Sequence, residues 1–321
     1  MFCVIIKTKR WLVGKKRKAG KKKNSFSKMS AEREFSRLIN LIEKQNFSSA
    51  DELKDFLDSL MGKSLDDYLP ESINKKERAQ DLVYEAYEQP VSKAKKLIKQ
   101  ALELDPDNAD AYNYLASIEK NVDKAMKLYE KAIELSKKTL GEKIFEKEKG
   151  NFWGILSTRP YMRAKAGLAE CFYAKGDIDK AIEIYEEMLE LNPGDNQGVR
   201  YLLSTLLLEK NDLIRFELFM RNLEDEDCAN CNFNRALFYF KKFGRISIAD
   251  EALLYAHNRN RFVIDYMLGI RKLPKEPPQF IGIGDEDEAV AYVFDAWKAW
   301  KNTKGAFEWL REFKQKISEF N

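Results

Sequence analysis

Residues 168–193 pair two amphipathic segments around a short Gly-Asp turn. Ala169 in the first segment and Ala181 in the second are small, which lets two helices approach at the close end of the usual distance range of about 8–10 Å. Pro193 cannot continue the second helix. The stretch therefore predicts a helical hairpin that must stack on neighbours to bury its apolar face.

The same spacing of small residues recurs along the chain. Ala181 and Ala249 are 68 residues apart, which is twice a period of 34. Ala94 and Ala125 occupy comparable places but are only 31 residues apart, so the second hairpin has a shortened turn. The 56 residues from Ala125 to Ala181 exceed one period by 22 and predict an insertion near residues 137–156. We predict about five stacked helical hairpins.

The hairpin at residues 168–193 resembles the tetratricopeptide repeat, since its small residues, Tyr185 and Pro193 match the positions of the family pattern. Met188 departs from it, because alanine is usual there. The resemblance implies an all-α solenoid whose first helices line a concave groove for protein or peptide segments. Within that class, the block around residues 152–164 resembles a group of cytosolic repeat proteins, and the run from Gly284 to Ala306 is similar to the end of the suppression-of-tumorigenicity-seven family.

Four regions are predicted from these patterns. Residues 1–30 form a disordered basic tail, and residues 31–76 form an N-terminal helical cap. Residues 77–262 form the tetratricopeptide-repeat array with its insertion, and residues 263–321 form a C-terminal helical cap. The tryptophan-rich C-terminal hairpin has an alternative interpretation as a partner-binding aromatic face.

The net charge of +4 is unevenly distributed. Residues 1–30 hold 11 Lys or Arg and no acid, so the rest of the chain has 45 basic against 52 acidic residues. One interpretation is an arm, residues 1–28, that binds nucleic acid or an acidic membrane through phosphates. The other is an upstream extension that is not translated, with Met29 as the true start. In both cases like charges and scarce apolar residues predict disorder.

Cofactor and metal chemistry have little support in the sequence. His257 is the single histidine, which excludes a histidine relay or a multi-histidine metal site. Cys228 and Cys231 form an isolated CxxC motif, and a structural zinc site needs four ligands. We expect two ordinary thiols at a helix start, no cofactor and no metal. The four cysteines are too few for a disulfide framework and favour a reducing, cytoplasmic location.

The resemblance also places candidate ligand contacts on the first helices of the third and fourth hairpins. They are Arg159, Arg163, Tyr173, Gln197 and Arg200. Arginine binds carboxylates through two parallel hydrogen bonds, so an acidic peptide is the expected ligand class. We expect Arg163 and Arg200 to form one exposed basic patch. In the alternative interpretation, Arg159 and Arg163 pair with nearby acids and fix the insertion to the array.

The function that follows is a non-enzymatic protein-interaction scaffold or adaptor. Its partner is a protein or peptide segment, bound in the concave groove. The alternative is a nucleic-acid-associated protein that acts only through residues 1–28. The sequence has no apolar run of about 18 residues, so no membrane span is expected.

Overall fold

The computed structural model describes residues 28–45, 47–68, 74–223, 226–278 and 280–319. The predicted tail at residues 1–30, with its nucleic-acid arm at residues 1–28, therefore lies almost wholly outside the described residues. In the part that is described, all regular structure is helical, with sixteen α-helices and no β-strand. The prediction of an all-α chain is confirmed.

The helices follow one another through short connections. They are α1 (Lys28–Glu43), α2 (Ala50–Leu60), α3 (Lys75–Glu88), α4 (Val91–Leu104), α5 (Ala109–Ile118), α6 (Val122–Leu140), α7 (Lys143–Lys147), α8 (Arg159–Ala174), α9 (Ile178–Leu191), α10 (Val199–Glu209), α11 (Leu213–Met220), α12 (Ala229–Phe243), α13 (Ser247–Arg259), α14 (Val263–Met267), α15 (Glu286–Lys301) and α16 (Ala306–Glu319).

Polar residues at the helix starts explain many of these boundaries. Ser49, Asn121, Asp177 and Asp212 each accept a hydrogen bond from a backbone N–H in the first turn of the helix that follows. Such caps satisfy donors that have no partner within the helix and typically stabilise it by about 1 kcal/mol. They fix where the second helices α6, α9 and α11 begin.

The chain divides into two compact units, and the division falls inside α8, between Cys171 and Phe172. In the N-terminal unit, α3 packs on α4, α5 packs on α6, and α3 also packs on α5. Small residues at these interfaces, including Ala79, Ala94 and Ala101, are fully buried. The core of this unit therefore depends on close approach of the helices, as the repeat spacing predicts.

Residues 141–158, between α6 and α8, occupy the place where the sequence predicts an insertion. They contain α7 and two 3-10 turns, Phe152–Gly154 and Leu156–Thr158. Phe145, Phe152 and Tyr161 pack together with ring centroids 5.0–5.9 Å apart. This aromatic cluster attaches the segment to the first turn of α8.

In the C-terminal unit, α10 packs on α11 and α12 packs on α13, so these pairs form successive hairpins. The first helices α10 and α12 also pack on each other. Trp300 and Trp309 are fully buried with their rings stacked at a centroid distance of 6.1 Å. These two tryptophans therefore belong to the core of the unit.

Candidate functional site

The first two candidate residues, Arg159 and Arg163, lie one turn apart at the start of α8 in the N-terminal unit. Arg159 Nη1 lies 3.0 Å from Glu32 Oε2, and Arg163 Nη1 lies 3.0 Å from Glu32 Oε1. Glu32 belongs to α1 and is itself buried. Each oxygen of this carboxylate therefore faces a guanidinium group.

Each arginine has a second set of partners that does not involve α1. Arg163 donates from Nε and Nη2 to the two carboxylate oxygens of Asp110, at 2.9 and 2.5 Å. Arg159 donates from Nε to the carbonyl oxygen of Trp153 at 3.0 Å and lies over the Trp153 ring. These contacts fix both guanidinium groups by bonds within α5, α8 and the inserted segment.

Burial of Arg163 opposes its charge, but Asp110 and Glu32 more than compensate, so its pKa is raised well above the ordinary value. The side chains of Arg159 and Arg163 are only 17% and 15% exposed. The expectation of an exposed side chain is thus wrong for Arg163, and Arg159 is covered to a similar extent. Both are held in a mostly buried ionic cluster, the Arg159–Arg163 cluster, which also contains Glu32 and Asp110.

Polar groups of α3 and α5 surround the Arg159–Arg163 cluster. Tyr84 donates its hydroxyl to Glu32 at 3.3 Å, and burial raises the pKa of Tyr84. Gln80 donates to Asp110 at 3.1 Å and accepts from Asn108 at 3.1 Å. The carboxylates of the cluster therefore have hydrogen-bond donors besides the arginines, which suits buried charges.

The other three candidates lie in the C-terminal unit. Tyr173 donates its hydroxyl to Glu209 at 2.7 Å, and Lys298 Nζ of α15 lies 4.3 Å from the centroid of its ring. Arg200 donates to Asp195 at 2.9 Å and to Glu226 at 2.6 Å, and its side chain is 20% exposed. Gln197 is half-buried just before α10.

Arg200 therefore joins the turn before α10 to the segment before α12. Burial opposes its charge, but the hydrogen bond and the charge of Asp195 outweigh that effect and raise its pKa. Since Arg163 and Arg200 belong to different units, their arrangement as one basic patch stays a prediction. Like Arg163, Arg200 is not the exposed side chain that the sequence predicts.

Helix α15 covers the face of the C-terminal unit that the repeat pattern assigns to a ligand. It packs against α10 and α12, which are the first helices of two successive hairpins. In repeat solenoids the first helices of neighbouring hairpins form the extended binding surface. Within this unit, a segment from the chain's own C-terminal region occupies that surface.

A buried chain of hydrogen bonds connects α15 to the first helices. Trp300 donates to the Tyr292 hydroxyl at 2.7 Å, and Tyr292 donates to the Asn234 side-chain oxygen at 2.9 Å. Asn234 then donates to the hydroxyls of Ser204 and Thr205, each at 3.1 Å. Ser204 lies on α10, a first helix, and is fully buried.

Sequence reasoning missed Glu32, Asp110 and Glu288 as functional partners. Glu32 and Asp110 lie 131 and 53 residues before Arg163, so no local spacing connects them. Glu288 lies in an acidic run that the helix dipole alone would explain. An acid beside apolar residues on α15 is only a weak sequence signal of a buried carboxylate such as Glu288. Nothing in the sequence of α1 distinguishes Glu32 from Glu34.

Among the described residues, one set of side chains has the ligand types of a metal site. The carboxylate of Glu226 and the thiols of Cys228 and Cys231 have ligand atoms within 4.8 Å of one another. The Glu226 carboxylate already accepts from Arg200 at 2.6 Å and from Tyr201 at 2.5 Å. Two thiols and an engaged carboxylate fall short of the four ligands of structural zinc.

Comparison with known proteins identifies repeats in two places. Residues 97–127 and residues 163–195 each match a family model described as tetratricopeptide repeat. No curated protein matches the chain. The two segments and the helical hairpins around them confirm the predicted fold class, an all-α tetratricopeptide solenoid. Such repeats indicate a protein-interaction scaffold, and the fold is generally non-enzymatic.

Among the described residues, no helix combines the length and the apolar character needed to cross a bilayer.

Proposed function

We propose that this chain is a protein-interaction scaffold that binds an acidic segment of its partner at Arg159 and Arg163. The observation that supports the proposal is the placement of Glu32, whose two carboxylate oxygens each lie 3.0 Å from one of these arginines. Glu32 has the position that a carboxylate of the partner would take. In this proposal Glu32 is an internal competitor, and the partner's acid replaces it.

The two guanidinium groups would stay in place when Glu32 leaves. Asp110 holds Arg163 through Nε and Nη2, and the Trp153 carbonyl holds Arg159 through Nε. Both Nη1 groups would then be available to an incoming carboxylate. A site whose donors are already oriented loses little entropy on binding, which favours affinity.

Helix α1 has other attachments that do not depend on Glu32. Arg33 donates to both oxygens of Asp81 on α3, at 2.7 and 2.8 Å, and Arg37 donates to the same carboxylate. The competition would therefore concern one side chain and its turn of helix, without release of the whole of α1. Displacing one buried carboxylate by another keeps the charge of the cluster unchanged.

Tyr173, Gln197 and Arg200 remain a second proposed contact set, in the C-terminal unit. Arg200 would have to exchange Asp195 or Glu226 for an acid of the partner. Its Asp195 pair is more buried than its Glu226 pair, so the exchange at Glu226 is favoured. This contact set is secondary because it offers one guanidinium group, whereas the Arg159–Arg163 cluster offers two to a single carboxylate.

The test uses the full-length chain and two labelled peptides, one rich in Glu and Ala and one with Gln in place of every Glu. Fluorescence anisotropy measures their binding to wild type, Glu32→Gln and the double variant Glu32→Gln with Arg159→Gln. The single variant weakens the internal competitor and should bind the acidic peptide about tenfold more tightly than wild type, a change of about 1.4 kcal/mol. The double variant should lose that gain.

Glu34→Gln is the matched control, because Glu34 is on the same helix but pairs only weakly with Arg37, at 3.4 Å. It should bind the acidic peptide as wild type does. Added salt should weaken binding of the acidic peptide, as expected for charged contacts. Equal binding of the acidic and the Gln peptide by folded Glu32→Gln would reject the proposal.

A further inference from the structure

The two cysteines at the start of α12 differ in a way that their sequence does not reveal. Cys228 is the residue before the first turn, and its sulfur accepts a hydrogen bond from the Cys231 backbone N–H at 3.4 Å. Cys228 is half-buried, whereas Cys231 is fully buried. Cys228 is therefore the more accessible of the two residues to a molecule from solution.

The two sulfur atoms are close enough to react with each other. They lie within 4.8 Å of one another, and the residues are three apart at a helix start, where side chains are neighbours. A disulfide requires the sulfurs to approach to about 2.05 Å, so the two side chains must turn toward each other. Both thiols are free in this structure.

We propose that Cys228 and Cys231 form a dithiol–disulfide site in which Cys228 attacks a small-molecule disulfide and Cys231 completes the internal bond. This inference is independent of the proposed partner site. The co-reactant is a low-molecular-weight disulfide such as oxidised glutathione. The geometry assigns the roles, because Cys228 is the more exposed of the two residues and the sulfur of Cys231 lies within 4.8 Å of the Cys228 sulfur.

The reaction balances in two steps. The Cys228 thiolate attacks one sulfur of oxidised glutathione, so a mixed disulfide forms and one glutathione thiolate leaves. The Cys231 thiol then loses its proton and attacks the Cys228 sulfur, so the internal disulfide forms and the second glutathione leaves as a thiolate. The protein is oxidised by two electrons, and oxidised glutathione is reduced to two glutathione molecules.

Electrostatics support this assignment. A side-chain hydrogen bond from the Cys231 thiol to the Cys228 sulfur lowers the pKa of Cys228; burial opposes this effect, and the Cys231 backbone N–H adds to it. The same thiol–thiol hydrogen bond, together with burial, raises the pKa of Cys231. A thiolate is the attacking species in thiol–disulfide exchange, so the accessible thiol is also the one that ionises more readily. Burial raises the pKa of Cys171, the other described cysteine, to about 12.

Zinc is the competing occupant of this cluster. It would recruit Glu226, whose carboxylate is held by the Arg200 guanidinium and the Tyr201 hydroxyl. A zinc ion would therefore lie close to a positive charge and would lack a fourth side-chain ligand among the described residues. The dithiol reaction needs neither a change at Glu226 nor a further ligand.

The test uses the full-length chain with Cys3→Ser, because Cys3 lies outside the described residues. Reduced protein is treated with oxidised glutathione and its mass is measured. The Cys3→Ser chain, called the parent below, should lose the mass of two hydrogen atoms. Peptide mapping should then identify a disulfide between Cys228 and Cys231. Cys231→Ala should instead retain one glutathione on Cys228, and Cys228→Ser should retain none. Cys171→Ser, the matched control, should behave as the parent does.

Iodoacetamide labelling of the parent gives a readout that needs no further substitution. Cys228 should be alkylated at least about tenfold faster than Cys231 or Cys171 at neutral pH. Stable glutathione on the parent without an internal disulfide would overturn the proposal, as would equal labelling of the three thiols. One equivalent of zinc in the purified parent, lost on Cys228→Ser, would also overturn it.

Discussion

The carboxylate of Glu288, on α15, accepts a hydrogen bond from the backbone N–H of Ala229, the first residue of α12, at 2.8 Å. Its other oxygen accepts from the Asn260 side chain at 2.9 Å and from the Gly284 N–H at 2.8 Å. Glu288 is buried. The Glu288 side chain thus provides an acceptor for an N–H at the start of α12, where the helix itself offers none. The same hydrogen bond connects α15 to α12.

Glu288→Ala should destabilise the C-terminal unit. The change leaves three donors without this acceptor, two of them buried, and hydrogen bonds to a charged group contribute about 1.5–3 kcal/mol each before relaxation and water entry. We expect a loss of about 2–4 kcal/mol in the free energy of unfolding. Chemical denaturation followed by circular dichroism measures it.

Asp287→Ala is the matched control for that substitution. Asp287 is in the same first turn of α15 but is exposed. Only its interaction with the helix dipole is lost, and the expected cost is below about 1 kcal/mol. Equal costs for the two variants would mean that Glu288 does not hold α15 on α12.

Tyr292→Phe tests the buried chain of hydrogen bonds between α15 and the first helices. The missing hydroxyl would leave the Trp300 N–H without its acceptor and the Asn234 oxygen without its donor. Shape is nearly unchanged, so the expected cost of about 1–3 kcal/mol comes from the unsatisfied groups. Thermal and chemical unfolding should agree on it. A cost near zero would show that water replaces the hydroxyl.

The repeat helices were predictable because their determinants are local. Small residues let the two helices of a hairpin approach, Asp177 caps the start of its second helix, and Pro193 follows the end of that helix. Each of these determinants acts within one hairpin. Arg215, on the second helix α11, pairs with Glu186 and Asp212, both on or beside second helices near the surface. Local rules suffice where the chain contacts only its neighbours.

The contacts of α1 and α15 were not predictable in the same way. Glu32 reaches Arg163 across 131 residues, and Ala229 meets Glu288 across 59. Neither pair follows a helical period or the repeat spacing. The candidate arginines were found because the repeat pattern assigns them to first helices. The pairing of these arginines with acids of the same chain depends on how distant segments pack together. Local sequence patterns do not reveal that packing.

Gly167→Ala should destabilise the N-terminal unit. A Cβ at position 167 on α8 would overlap the ring of Tyr129 on α6. Overpacking of this kind typically costs about 1–3 kcal/mol. Combining it with Tyr129→Leu should cost less than the sum of the single changes, since the smaller side chain makes room. Additive costs in this double-mutant cycle would contradict the close approach.

The chain's single histidine, His257, should titrate below its ordinary pKa of 6.5. Burial lowers its pKa and the charge of Lys314 adds to this effect, while Asp265 opposes it. The imidazole packs edge-on against Phe313, and Nδ1 is buried with no hydrogen-bond partner among the described residues. The neutral form is therefore favoured in the folded protein.

The sign of the pH effect follows from that depressed pKa. The unfolded chain takes up a proton at His257 near pH 6.5, while the folded chain resists it until the pH is lower. The contribution of this residue to stability is present above pH 6.5 and is lost as the pH falls through the folded pKa. His257→Gln should therefore lose less stability than wild type between pH 7 and pH 5, measured by urea unfolding. The single imidazole signal in proton NMR should give a midpoint below 6.5, and a midpoint at or above that value would contradict the buried, neutral histidine.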